Sequence, residues 1–196
     1  MAINLEEDCV MVKLDHDILC HCKKFECGNS DLDEFFNQDA IQYDKELLGK
    51  TYCWILRNDP ETILSEFTIS NDSIKTHGMP GHVRNRIQRA VANPKRGRTY
   101  PAVLIGRLAV NKLYRATDDH IGTQVMEFIK KWFRSVDNKT GCRFIVVDAV
   151  NDVATIGYYK RNGFKFIYEE ESAEKEFFNI SDSALRTRMM YFDLKS

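Results

Sequence analysis

VLIGRLAVNKLYRATDDHIGT, residues 103–123, decides how the rest of the chain is read. Val103–Val110 is an apolar run of strand length. A polar turn follows, and Ile121 opens a stretch whose apolar residues recur at helical spacing. A strand that runs into a helix N-terminus is a place where an anion can sit. The first backbone N–H groups of the helix have no internal partner, and its dipole is positive there.

The pattern around this stretch is mixed. CVMVKL at 9–14 suits a first strand. Ser30 is expected to cap a helix running to about Leu48, with Asp31 and Asp33 in its first turn and Gly49 as its stop. Thr51–Leu56 and Thr62–Ile69 read as a hairpin around Asn58-Asp59-Pro60. His82–Ala92 suits a helix ended by Asn93-Pro94, and Ala102–Val110 a long strand. The helix from Ile121 to about Val136 buries Ile121, Val125, Phe128, Ile129 and Trp132. RFIVVDA at 143–149 has the composition of a strand covered on both faces. A short helix, a Gly163-Phe164 break and a strand through Ile167 come next. Glu169–Glu176 reads as a solvated loop or helix edge, and Thr187–Leu194 as a last strand. Strands alternate with helices in the second half, where parallel pairing is expected. With 196 residues and no linker composition, positions 1–196 are expected to form a single domain.

A net charge of −1 gives no whole-protein field toward nucleic acid or membrane. No apolar run approaches the ~18 residues of a membrane span, and the acidic N-terminal stretch lacks a signal pattern, so a cytoplasmic location is expected. Six cysteines then read as free thiols. Cys20, His21, Cys22 and Cys27 cluster, but C-x-C without a second matching pair is a poor tetrahedral template, and no metal is expected.

Three pieces together resemble the GNAT family of N-acetyltransferases, nearest to a subgroup that includes tRNA-acetylating toxins. They are FECGNSDLDEFF at 25–36 followed by Thr51-Tyr52, then GRLAV at 106–110, and DAVNDVATIGYYKRNGF at 148–164. The resemblance spans most of the chain. It implies an α/β fold with a mixed, mostly antiparallel central sheet, a splayed parallel strand pair and flanking helices. It also implies acetyl-CoA as co-substrate and transfer of the acetyl group to a primary amine in a ternary complex.

The site residues follow from the same resemblance. The backbone of Leu108, Ala109 and Val110 would pair with the pantetheine arm, as an unpaired strand edge can. Arg115, His120, Ile121, Gly122 and Thr123 would hold the pyrophosphate, and Asn151 would hydrogen-bond the cofactor arm. Tyr159 matches the tyrosine that protonates the departing thiolate. This chain departs from the family at the glycine turn, where Asp118 and His120 occupy usual glycine positions and Thr117 replaces an Arg or Gln. Asp118 and Asp119 have the wrong sign beside a phosphate. At ~4 Å and an effective dielectric near 20, two like charges repel by about 4 kcal/mol. Turned outward, they leave Lys112, Arg115 and His120 to the anion. No motif marks a general base; Glu66 is a candidate by its place in a strand.

HVRNRIQRAVANPKRGR at 82–98 holds Arg84, Arg86, Arg89, Lys95, Arg96 and Arg98 with no acid among them. Such a run reads either as a solvated helix face or as a surface for RNA phosphates. Acceptors therefore range from small amines to the amine of aminoacyl-tRNA, the second being the toxin reading. A third reading, of another class, is a GNAT-fold binding protein that no longer catalyses. Family members often pair, which makes a homodimer the oligomer that the resemblance implies.

Overall fold

The computed structural model describes residues 2–89, 91, 99–115, 117–138, 140–181 and 184–196. In chain order the elements are α1 (Leu5–Asp8), β1 (Cys9–Lys13), α2 (His16–His21), α3 (Ser30–Glu34), a π turn (Phe35–Asp39) and α4 (Ala40–Lys45). β2 (Lys50–Leu56), β3 (Asp59–Lys75), α5 (Gly81–Gln88), β4 (Thr99–Val110) and α6 (Ile121–Arg134) follow. The chain closes with β5 (Phe144–Val150), α7 (Val153–Arg161), β6 (Lys165–Phe166), α8 (Glu171–Phe178) and β7 (Thr187–Asp193). The strand order is β1-β2-β3-β4-β5-β7-β6, and β4–β5 is a parallel pair among antiparallel neighbours. This is the mixed, helix-flanked α/β sheet that the sequence implied. No helix among the described residues is long and apolar enough to cross a membrane.

The chain divides into two compact units, residues 1–70 with 105–135, and residues 71–104 with 136–196. In the first, Phe25, Phe35, Phe36 and Ala40 pack with Cys53, Ile55, Ile63 and Ala109 into one core. The other face of β2 meets α6, where Trp54 stands edge-on to Phe128 at 4.8 Å and Tyr52 to Trp132 at 4.9 Å. Phe128 and Trp132 stay half-buried, whereas Ile121, Val125 and Ile129 are buried as the periodicity required. In the second unit Ile74, Val83, Ile87 and Tyr100 pack with Phe144, Val146, Tyr168 and Tyr191.

Local chemistry shifts several boundaries. Asn29 caps α3, its side chain accepting from the Asp31 and Leu32 amides, so Ser30 is the first helical residue and not the cap. The hairpin turn falls on Arg57-Asn58, and β3 extends through Asp59–Lys75. The acidic stretch is not a solvated edge throughout. Glu174 on α8 is 2% exposed, because its carboxylate accepts from Arg188 Nε at 2.7 Å and from the Met189 amide at 2.8 Å. Two short helices, α1 and α2, went unread because each has barely a turn or two of pattern. α7 stops where it was expected to. Gly163 takes φ +80°, its amide bonds the Lys160 carbonyl at 2.9 Å, and the Phe164 amide bonds Tyr159 at 3.0 Å. A glycine relieves that left-handed C-terminal turn of its Cβ clash.

Candidate acyl-CoA site

β4 carries the family-matched positions. Among the described residues, its parallel register with β5 pairs Ala102, Val103 and Leu104 with Phe144, Ile145 and Val146 and ends there. β4 itself runs on to Val110. Leu108–Val110 thus lies on a stretch of strand beyond its parallel ladder, where backbone amides and carbonyls can serve a ligand. Asn111 closes the strand: its amide donates to the Leu64 carbonyl at 2.9 Å and its side chain to the Ile63 carbonyl at 3.0 Å.

The turn after β4 keeps the conformation that a glycine would take. His120 stands before α6 in the left-handed region, φ 50° and ψ 41°, with no side-chain cap. A non-glycine residue there costs on the order of 1 kcal/mol, so the fold is holding the turn in that shape. Its carbonyl accepts from the Thr123 and Gln124 amides at 2.8 and 3.1 Å. The α6 N-terminus opens on Ile121, which is buried, and Gly122, which is half-buried.

Asp119 does not stand alone beside this N-terminus. Its Oδ1 accepts from the Ile3 amide at 2.9 Å, and its carbonyl accepts from Gln124 Nε2 at 2.7 Å. Gln124 also holds Leu5 N and Ile3 O, both at 2.8 Å. The aspartate that looked hostile to phosphate thus anchors the segment leading into α1. Asp118 is exposed. Asp119→Ala is expected to cost about 1 kcal/mol in urea unfolding through the lost Ile3 bond, without tightening acetyl-CoA binding.

The cations of the turn are partly engaged. Lys112 is ion-paired with Glu26, and its amide donates to the Glu26 carbonyl at 2.8 Å. Arg115 Nη1 donates to the Cys27 carbonyl at 3.1 Å. Segment 25–27 is pinned in turn: Asn37 bonds both the amide and the carbonyl of Phe25, and Asp33 accepts from the Cys27 amide at 2.7 Å. Burial pushes the Asp33 carboxyl up, but its hydrogen bonds from Cys27 and Gly28 outweigh that and leave it below the usual range. Arg107 of β4 places its guanidinium carbon over Phe35, 3.6 Å from the ring centroid, at the start of the π turn. Sequence reading missed this stack, since nothing local links Arg107 to Phe35.

Glu66 is the other surprise of this unit. It sits in β3 opposite Cys53, it is 0% exposed, and neither carboxylate oxygen has a hydrogen-bond partner. Burial, and then the negative charge of Asp33, push its carboxyl well above the usual range. A fully buried, protonated carboxyl does not reach a substrate amine, so Glu66 is not placed as the general base.

In the second unit Tyr159 lies on α7, 9% exposed, with its ring edge-on to Phe164 at 5.3 Å and Tyr158 at 5.1 Å. Burial pushes its phenol up to about 12. Asn151 donates through Nδ2 to Glu171 at 3.2 Å and to the Leu185 carbonyl at 2.9 Å; its side-chain oxygen is the group left for a ligand among the described residues. Of the basic run, Arg84 is half-buried and Arg89 exposed. Arg86 is tied to Glu169 and to the Phe166 and Ile167 carbonyls, which makes it a structural cation as much as a surface one. Lys95, Arg96 and Arg98 lie outside the described residues. Among the described residues no group of three His, Cys, Asp or Glu stands where it could hold a metal ion.

The fold is of the GNAT acetyltransferase type. Solved structures similar to the chain include AtaT complexed with acetyl-methionyl-tRNAfMet, at TM-score 0.64 and 17% identity over 96% of both chains. AtaTR bound with acetyl-CoA matches at TM-score 0.61 and 16% identity, covering 96% of this chain and 95% of that one. A KacT mutant matches at 0.62 and 14% over 96% of both. No protein-family model and no curated protein matches the sequence.

Proposed function

We propose that this protein is an acetyl-CoA-dependent N-acetyltransferase. The observation that carries the reading is the β4 edge beyond Leu104, followed by a left-handed turn into the α6 N-terminus. Pantetheine amides would pair with the Leu108–Val110 backbone. The pyrophosphate would be held by Arg115, His120, Ile121, Gly122 and Thr123, with Asn151 bonding the cofactor arm. The acceptor's nitrogen lone pair attacks the thioester carbonyl carbon, and backbone N–H groups of β4 polarise that carbonyl. The C–S bond then breaks, and Tyr159 gives its phenolic proton to the sulfur. The acceptor's own proton leaves to water, since Glu66 is shut away from solvent.

A second reading names the acceptor as the amine of aminoacyl-tRNA, with the protein acting as a cytoplasmic toxin. It is supported by the fold shared with AtaT complexed with acetyl-methionyl-tRNAfMet and by the cations on α5 and at its C-cap. Arg84 and Arg89, together with Lys95, Arg96 and Arg98, would meet the RNA phosphates. A homodimer and an antitoxin partner belong to the same reading.

Melting the protein with and without acetyl-CoA tests the cofactor directly. At 100 times its dissociation constant the ligand adds about 2.7 kcal/mol, a shift of several degrees. An unchanged Tm at millimolar acetyl-CoA would leave the non-catalytic binding protein as the better account. Release of free thiol from acetyl-CoA, screened over small amines, peptides and charged tRNA, then identifies the acceptor.

A further inference from the structure

The second unit contains a cavity of about 270 Å³ that the acetyl-transfer reading does not use. Its walls bring together four cations from three places in the sequence: Arg86 on α5 with Arg89 at the C-cap of that helix, Lys165 on β6, and Lys195 just past β7. β7 carries Tyr191 and Asp193 at two-residue spacing, Lys195 follows in the turn after the strand, and Lys165 pairs directly with Tyr191. Only Arg86 and Arg89 belong to the basic run visible in the sequence. Lys165 arrives by the β6–β7 pairing, and Lys195 by the turn that follows β7.

The charge balance here is one-sided. Asp193 is the carboxylate side chain of the wall, which Ser196 also lines, and it is already held by Arg143 at 2.7 Å. Glu169 is engaged on Arg86. Among the described residues Lys165, Lys195 and Arg89 have no ion-pair partner, and Arg86 Nε is a buried donor with no acceptor. Cations gathered around a concave site, with donors to spare, define a receptor for an anion with several acceptor oxygens. Arg86 already spends its terminal nitrogens on Glu169 and two carbonyls, so the fork that suits a phosphate is that of Arg89, which can engage two oxygens at once.

We propose that this cavity is a phosphate-binding site, formed by Arg86, Arg89, Lys165 and Lys195, for a phosphoryl group carried by an RNA backbone or by a small phosphorylated molecule. The proposal does not depend on acetyl transfer, although it shares Arg89 with the aminoacyl-tRNA reading, and its test omits acetyl-CoA. Two probes are used on the full chain: inorganic phosphate against chloride at matched ionic strength, read as a Tm shift, and a labelled single-stranded RNA, read by anisotropy across a salt series. The double variant Lys165→Glu/Lys195→Glu reverses two exposed charges.

In wild type, phosphate raises Tm, and the variant loses that rise. If RNA is the source, the variant also binds RNA at least tenfold more weakly, and the slope of log K against log[salt] falls by about 1 to 2. Loss of the phosphate effect with RNA binding unchanged assigns a small phosphorylated ligand. Equal responses of wild type and variant to both probes overturn the site. Arg89→Glu alone, at an exposed position, repeats the comparison should the double variant fail to fold.

Discussion

Tyr159→Phe lowers turnover by about 10²- to 10⁴-fold while leaving acetyl-CoA affinity within about twofold of wild type. The substitution removes one oxygen and keeps the ring that packs on Phe164 and Tyr158. What is lost is the proton for the leaving thiolate, a group needed only as the C–S bond breaks, so the effect falls on kcat and not on binding. The phenol is pushed up to about 12 by burial, which keeps it protonated across the whole working range. A thiolate leaving into equally dry surroundings becomes a stronger base as well, which helps the transfer. The rate should therefore show no alkaline fall from this group below about pH 11. Steady-state kinetics on the variant, together with a binding titration, check both halves. Unchanged kcat, or a loss confined to cofactor affinity, removes Tyr159 from the acid role.

The second large effect concerns Glu66. Its carboxyl is held protonated in the fold by burial and by Asp33, whereas in the unfolded chain it ionises in the ordinary range. A group whose folded pKa is raised contributes fully below its unfolded value and takes stability away as pH rises toward the folded one. Wild type should accordingly lose stability as pH rises above the ordinary carboxylate range of about 4. Glu66→Gln keeps the shape and cannot ionise, so it should match wild type at pH 4 and exceed it at pH 8 by about 1–3 kcal/mol. Urea unfolding at the two pH values measures this. A variant that is no more stable than wild type at pH 8 means that Glu66 is ionised and partnered after all. Such a burden in a core strand is rarely tolerated without use, and the same variant assayed for turnover shows whether the neutral acid matters beyond stability.

The elements that local rules govern were legible in advance. The Ile121–Arg134 helix follows from apolar spacing, the α7 stop from Gly163, and the β5 strand from an unbroken apolar run. The family-matched positions Leu108–Val110 and Tyr159 fall on the β4 strand and the α7 helix that the sequence implied for them. The readings that had to be revised concern charge. Glu66 was named as a candidate general base and is buried; Glu174 was given a solvated edge and pairs with Arg188; Asp119 looked hostile to an anion and instead holds Ile3. Arg86, grouped with surface cations, is bound to two backbone carbonyls and Glu169.

Each of those revisions turns on a partner far away in the chain. A charged side chain's neighbours within a few residues say what helix or strand it joins, because periodicity and capping are short-range effects. Whether it meets water, a counter-ion or nothing at all depends on which distant strand or helix packs over it. The amino-acid order alone determined the mixed α/β architecture, the strand-to-helix turn at 110–121 and the position of the tyrosine. Tertiary packing alone decided that Glu66 is dry, that Asp119 is occupied, that His120 takes a glycine's conformation, and that Lys165 and Lys195 converge on Arg86 and Arg89. Desolvation and Coulomb energies are set by three-dimensional distance, and chain spacing does not carry that distance.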